Sequence, residues 1–154
     1  MSLTFRSATR DDVPAIVALL ADDPLGAQRE TGGMADYLAA FDRIAADANS
    51  QLVVGEQDGR VVATYHLNIL HGLSLRAASR AQVESVRVAA DLRSRGVGAA
   101  LMADAEARAR AAGCRLIQLT THKSRGRAHA FYDRLGFTAS HIGYKRSLDP
   151  EGEH

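Results

Sequence analysis

Cysteine is almost absent from this chain: Cys114 stands alone among 154 residues, with no Trp and only three Pro. One Cys cannot form an internal disulfide, so the small disulfide-stapled scaffolds are excluded and a reducing compartment is expected. No apolar run approaches the roughly 18 residues of a membrane-spanning helix, and no leader-like apolar core follows Met1-Ser2-Leu3-Thr4. The expected setting is the cytoplasm, with no membrane partner. HExxH and CxxC spacings are missing too, so His66, His71, His122, His129 and His141 carry no expectation of a metal. No stretch is rich enough in Pro or Ser to be a linker, and no period of about 20–50 residues repeats. One domain is expected over residues 3–148, followed by a frayed tail, 149–154, that has no apolar anchor.

An excess of either charge is also lacking. With 19 Lys+Arg against 18 Asp+Glu the net charge is +1, which argues against a dedicated nucleic-acid binder. The sum hides a partition: residues 1–75 carry 5 basic and 10 acidic side chains, residues 76–154 carry 14 and 8.

What is present is periodic. Leu3–Arg6 alternates like a strand, and Thr9 with Asp12 three residues on marks a helix start; Ile16, Leu19 and Leu20 give that helix its apolar stripe, which Pro24 and Gly26 end. Met34, Leu38, Phe41, Ile44 and Ala45 fall at helical spacing in a second amphipathic stretch. The runs 51–57 and 60–67 are strand-like and joined by Asp58-Gly59, a strong hairpin signal. Residues 81–88 form the next strand, with Gln82, Glu84, Val86 and Val88 expected on one face and Val83, Ser85 and Arg87 on the other. A long helix follows from 96 to 112, with Asp104/Arg108 and Glu106/Arg110 as pairs on its outer faces. Residues 116–120 read as a buried strand, 127–135 as a short helix, and the chain from Phe137 as strand again. The fold class is α/β, a mixed central sheet in the order β-α-α-β-β-β-α-β-α-β with a right-handed parallel crossover through 81–120.

The chemistry concentrates in Val86-Arg87-Val88-Ala89-Ala90-Asp91-Leu92-Arg93-Ser94-Arg95-Gly96-Val97-Gly98-Ala99, a strand, a basic loop with glycines, and the first turn of a helix. Unpaired N–H groups at a helix start bind phosphate oxygens, Gly96 and Gly98 permit close approach, and Arg93 and Arg95 add charge. Neither GxxxxGK followed by Ser or Thr nor a complete GxGxxG is present, so a nucleoside-triphosphate loop and a dinucleotide fingerprint are both disfavoured. The plainer alternative is a tight helix entry with solvated arginines.

Arg93-x-x-Gly96-x-Gly98 after a strand, with Ala128-x-x-Phe131-Tyr132-x-x-x-Gly136-Phe137 downstream, resembles the GNAT superfamily of acetyl-CoA-dependent N-acetyltransferases. Phe5-Arg6-x-Ala8-Thr9-x-x-Asp12 and the Asp58-Gly59 hairpin extend the resemblance over nearly the whole chain. It implies that acetyl-CoA is the co-substrate, held at Val86, Arg87, Val88, Arg93, Ser94, Arg95, Gly96, Val97, Gly98, Ala99, Arg127 and Tyr132. It implies a bulged strand at Val86–Val88, splayed from the next parallel strand. It further implies Glu84 as the group that accepts the amine's proton, directly or through water, the Val88 N–H as oxyanion donor, and Tyr132 as the acid that protonates the departing thiolate.

Alternatives stand beside these roles. Glu84 pairing with Arg80 or Arg115 and Tyr132 as a core aromatic are the structural readings, and Gly126 stands where many relatives carry an Asn. His66 and His122 are expected near strand ends facing a cleft. Cys114 lacks a partner in sequence for an acyl-cysteine route. Asp22, Asp23, Glu30, Asp36 and Asp42 suggest a cationic amine as acceptor, or equally a solvated face. Many relatives are homodimers, and no apolar edge in the sequence marks an interface. A coenzyme-binding regulatory domain without turnover is the runner-up function.

Overall fold

In a computed structural model that describes residues 2–149, the chain divides into two compact units, Met1–Leu119 and Thr120–His154. The first contains β1 (Leu3–Ser7), a 3-10 turn (Arg10–Asp12), α1 (Val13–Leu20), α2 (Pro24–Arg29), α3 (Met34–Ala45), β2 (Ser50–Gln57), β3 (Arg60–Leu70), the single turn α4 (Ser74–Ala77), β4 (Arg80–Val88), a second 3-10 turn (Ala90–Leu92), α5 (Val97–Ala111) and β5 (Leu116–Leu119). The second contains α6 (Gly126–Arg134).

The five strands form one sheet in the order β1-β2-β3-β4-β5, antiparallel except for the parallel β4–β5 pair, which confirms the mixed α/β sheet. Asp58 and Gly59 both have positive φ, 53° and 76°, which is the backbone a two-residue hairpin requires. β3 lies at the centre. Val62, Ala63, Thr64, Tyr65 and Leu67 are buried because helices cover both faces of the sheet. On one side, Leu19 of α1 packs with Val62 and Ala89. On the other, the Tyr65 hydroxyl donates to Asp104 of α5, and Arg108 Nε donates to the same carboxylate oxygen at 2.8 Å. Asp104 and Arg108 therefore face the sheet instead of the solvent expected from their spacing: a buried phenol needs an acceptor, and α5 supplies it.

Three further differences from expectation have physical causes. Asp23 caps a short helix at Pro24, since its side chain accepts from the Gly26 N–H and Pro is pre-set for a first helical turn. α4 is left-handed, with φ of 55°, 61° and 58° at Leu75, Arg76 and Ala77, and Arg115 Nη2 holds it by donating to the carbonyls of Leu75 (2.7 Å) and Arg76 (2.8 Å). The strand expected from Phe137 does not form among the described residues. Ile142, Tyr144 and Leu148 stay 82%, 90% and 93% exposed, so no burial draws that stretch into a ladder. Within the second unit Tyr132 packs edge-to-face on Phe131 and Phe137, with ring centroids 5.1 and 5.7 Å apart. Among the described residues no helix is long and apolar enough to cross a membrane.

Gly26 is required by space. A Cβ there would lie 1.8 Å from the Leu20 carbonyl oxygen, so the passage from α1 to α2 closes only around a hydrogen. Gly26→Ala is expected to cost about 1–3 kcal/mol in urea unfolding; a loss within experimental error would show that the passage yields freely.

Candidate active site

β4 is the element that makes the site. Against β3 it pairs Ala63 with Val88, Thr64 with Arg87, and then His66 with Glu84. Between those pairs β3 has one residue, Tyr65, while β4 has two, Ser85 and Val86, so β4 carries a bulge as expected. Ser85 sits in the left-handed region at φ 55°, a conformation that costs a non-glycine residue about 1–2 kcal/mol.

The extra residue resets the alternation. Directly opposed residues share a face, so Glu84 and Arg87 lie on the face of His66 and Thr64, while Val88 joins Ala63 on the other. The expectation that Glu84, Val86 and Val88 share one face is therefore corrected, because strict alternation does not run through a bulge.

The bulge also frees backbone. Pairing with β5 ends at Val83 opposite Leu119, while β4 continues to Val88. β5 itself ends there, and among the described residues Glu84–Val88 have no ladder on that edge. Ala89 N–H donates to the Val62 carbonyl at 2.8 Å, so the preceding N–H, that of Val88, points to the open edge.

Eight residues beyond β4, the basic loop turns into α5. Ser94 (φ 64°) and Gly96 (φ 83°) are left-handed, and no side chain caps Gly96. The Ala100 N–H makes the first intrahelical bond, to Gly96 O at 3.1 Å, which leaves the N–H groups of Val97, Gly98 and Ala99 directed out of the helix start. A Cβ on Gly96 would meet nothing within 4 Å, so its value is the φ it permits. Arg93, Ser94 and Arg95 are exposed beside these donors. The donor set fits a diphosphate: fixed N–H groups at the positive end of a helix dipole, with exposed guanidinium groups around them.

On the Glu84 face a half-open cavity of about 180 Å³ lies between the sheet and the first helices. α1 contributes Val13, Ile16, Val17 and Leu20, and α3 contributes Tyr37, Ala40, Phe41 and Ile44. Both quartets have i, i+3, i+4, i+7 spacing; this was the sequence signal for the cavity, and it is more regular in α3 than the stripe through Met34 and Leu38. Thr64, His66 and the bulge residue Ser85 form the sheet side with Leu52. The Thr64 hydroxyl is engaged with Val53 O at 2.9 Å. Ser50 donates its hydroxyl hydrogen to Asn68 Oδ1 at 3.0 Å and so accepts from His66 Nε2, which leaves Nδ1 as the basic nitrogen. Burial lowers the His66 pKa, against the opposing pull of Glu84 and Asp47, and favours the neutral ring.

Four of the acidic residues that suggested a cationic acceptor have partners within the protein. Asp22 lies 3.7 Å from Arg93 and Asp23 lies 3.8 Å from Arg87, so the α1–α2 passage is clasped to both β4 and the basic loop. Asp42 meets Arg10 at 3.1 Å, and Glu30 accepts from the Tyr37 hydroxyl at 3.2 Å. None of them lines the cavity. The alternative of a Glu84 pair with Arg80 or Arg115 does not form, and Arg115 serves α4. Burial raises the Cys114 thiol pKa, which disfavours the thiolate.

In the second unit, Arg127 is exposed in the first turn of α6, one residue after Gly126. His122 is used locally: its Nδ1 accepts from the Ser124 N–H at 3.2 Å, and its carbonyl accepts from His129 Nε2 at 3.0 Å.

Residues 14–137 match the model of the acetyltransferase (GNAT) family. An aminoalkylphosphonate N-acetyltransferase from Salmonella typhimurium is 30% identical over 146 residues, covering 93% of this chain and 90% of its own. Among solved structures, a protein from Bacillus halodurans described as a transcriptional regulator is 38% identical with a TM-score of 0.91, covering 96% of this chain and all of its own. A protein from Agrobacterium tumefaciens described as an acetyltransferase is 26% identical with a TM-score of 0.81, covering 94% of this chain and 99% of its own.

A histidine with a lowered folded pKa binds fewer protons folded than unfolded. Stability then falls as pH drops from about 6.5 toward the folded value. His66→Gln removes that slope: in urea unfolding between about pH 7 and pH 5, the parent is expected to lose stability relative to the variant. Parallel curves would contradict burial as the dominant influence on His66.

Proposed function

Because the chain belongs to the GNAT acetyltransferase family and is an N-acetyltransferase with acetyl-CoA as co-substrate, we propose that it acetylates a primary amine by direct attack in a ternary complex at the β4 bulge. The observation that supports this is two sets of open backbone donors on one chain segment, at the end of β4 and at the start of α5. The Val88 N–H faces the unpaired edge of β4, and after the second 3-10 turn come the uncapped N–H groups of Val97, Gly98 and Ala99.

Acetyl-CoA supplies the acetyl group as a thioester, whose carbonyl carbon accepts the amine lone pair and whose sulfur leaves with the electrons of the broken C–S bond. The backbone of Val86, Arg87 and Val88 binds the pantetheine along the edge that β5 leaves open. Arg93, Ser94, Arg95, Gly96, Val97, Gly98 and Ala99 hold the diphosphate, with Arg127 as a further basic contact.

An alkylammonium of pKa about 10.4 is protonated at neutral pH and cannot attack. Glu84, on the cavity-side face opposite His66, accepts its proton directly or through one water. The Val88 N–H donates to the carbonyl oxygen as charge develops there, an interaction of about 3 kcal/mol in comparable donors. Tyr132 gives its proton to the thiolate.

The Bacillus halodurans relative's description raises the reading of a regulator that binds coenzyme without turnover. The exposed carboxylate at Glu84 and the cavity at the bulge favour turnover.

Amine-dependent release of free thiol from acetyl-CoA decides between them. Turnover is expected, and Glu84→Gln is expected to lower kcat by about 10²-fold, within the range of general-base contributions, with the KM for acetyl-CoA little changed. Tight coenzyme binding without amine-dependent thiol release would favour the regulator. An unchanged kcat in Glu84→Gln would move proton acceptance to another group.

A further inference from the structure

We infer that the acceptor is a compact apolar amine, whose hydrocarbon group fills the cavity between the sheet and the first helices and whose nitrogen lies at the His66–Ser85 end. This rests on the reading of the β4 bulge as the site of acetyl transfer.

No Asp, Glu, Lys or Arg lines the cavity. Its two titratable residues are neutral at neutral pH: burial favours the uncharged form of His66, and the Tyr37 phenol is raised above its ordinary pKa by burial. A phosphonate, a carboxylate or a second ammonium group placed there would lose its water and find no opposite charge. Of the nearby acids, Asp22 is paired with Arg93, Asp23 with Arg87 and Asp42 with Arg10, which leaves Glu84, opposite His66, to meet the one nitrogen that is acetylated and no second carboxylate among these for a polycation.

The volume is also telling. An apolar cavity of about 150 Å³ accommodates benzene, so about 180 Å³ suits a phenyl ring or a branched chain of five to six carbons. α3 independently points to a missing occupant. It is amphipathic, yet no residue in it is buried; Tyr37, Ala40, Phe41 and Ile44 remain half-buried because their stripe borders the cavity instead of closing on the sheet.

Polarity is confined to the sheet side, where Ser85 belongs to the bulge and His66 keeps Nδ1 as an acceptor. An amine whose apolar group fills the helix side therefore presents its N–H groups beside β4, where the Val88 N–H opens to the unpaired edge.

The experiment compares kcat/KM from thiol release for methylamine, isoamylamine, phenethylamine, spermidine and aminoethylphosphonate. Isoamylamine and phenethylamine are expected to exceed methylamine by about 10²-fold, since each buried methylene contributes about fourfold. They are also expected to exceed the two charged amines by at least about tenfold. Ala40→Phe, which fills the cavity, is expected to reduce the phenethylamine-to-methylamine ratio by about tenfold, with acetyl-CoA binding by calorimetry reporting a folded protein. Should Ala40→Phe not fold, Phe41→Ala enlarges the same space and is expected to shift the preference from phenethylamine to naphthylethylamine. If spermidine or aminoethylphosphonate equals or exceeds phenethylamine, or if neither variant alters the ratio, the apolar acceptor is overturned while acetyl transfer stands. If no amine releases thiol although acetyl-CoA binds, the transferase reading itself fails.

Discussion

The rest of the site depends on a single inserted residue. Two residues of β4, Ser85 and Val86, face one of β3, and Ser85 absorbs the mismatch in a left-handed conformation. A left-handed Ser is unfavourable by about 1–2 kcal/mol and persists because the ladders on both sides of it are fixed: Ala81 and Val83 are buried below the bulge, and Ala89 is bonded to Val62 above it. Two results follow. Arg87 turns to the Glu84 face, where it reaches Asp23, and the Val88 N–H turns to the open edge. A regular β4 would place Arg87 on the α5 side, away from Asp23 and next to the Tyr65–Asp104–Arg108 cluster, which already has its own guanidinium.

Charge is used to assemble the walls and is kept out of the cavity. Asp22 and Asp23 hold the α1–α2 passage against Arg93 and Arg87, so the segment that follows α1 is tied to β4 and to the loop proposed to hold the diphosphate. The Arg93–Asp22 contact is exposed and long, worth well under 1 kcal/mol as a surface pair. It therefore gives way readily to a phosphate, whose charge-assisted bonds to Arg are stronger. The acidic first half and basic second half thus meet at a clasp between structural elements.

Much of this was legible from local chemistry. Asp58-Gly59 demanded positive φ and marked the hairpin; the apolar spacing over 34–45 marked α3 to the residue, and the basic loop before α5 was visible in Arg93, Arg95, Gly96 and Gly98. What was not legible is relational. The side-chain faces of β4 depend on its register with β3, which alternation within one strand cannot reveal. Asp104 and Arg108 resemble a solvated pair until Tyr65 is seen beneath them. Three of the acids that suggested a cationic acceptor, Asp22, Asp23 and Asp42, meet arginines distant in sequence. The cavity quartets of α1 and α3 were visible as apolar periodicity, but periodicity alone does not distinguish a stripe that closes on the sheet from one that stops short of it.

The central claim is that the coenzyme and the amine meet at the β4 bulge. It is tested most directly by following backbone amide resonances of the isotope-labelled protein during successive additions of CoA and phenethylamine. The account predicts that CoA perturbs Val86–Val88 and Ser94–Ala99, and that the amine then perturbs Ile16, Phe41, His66 and Ser85. Perturbations that spare both β4 and the α5 start when CoA binds would contradict it.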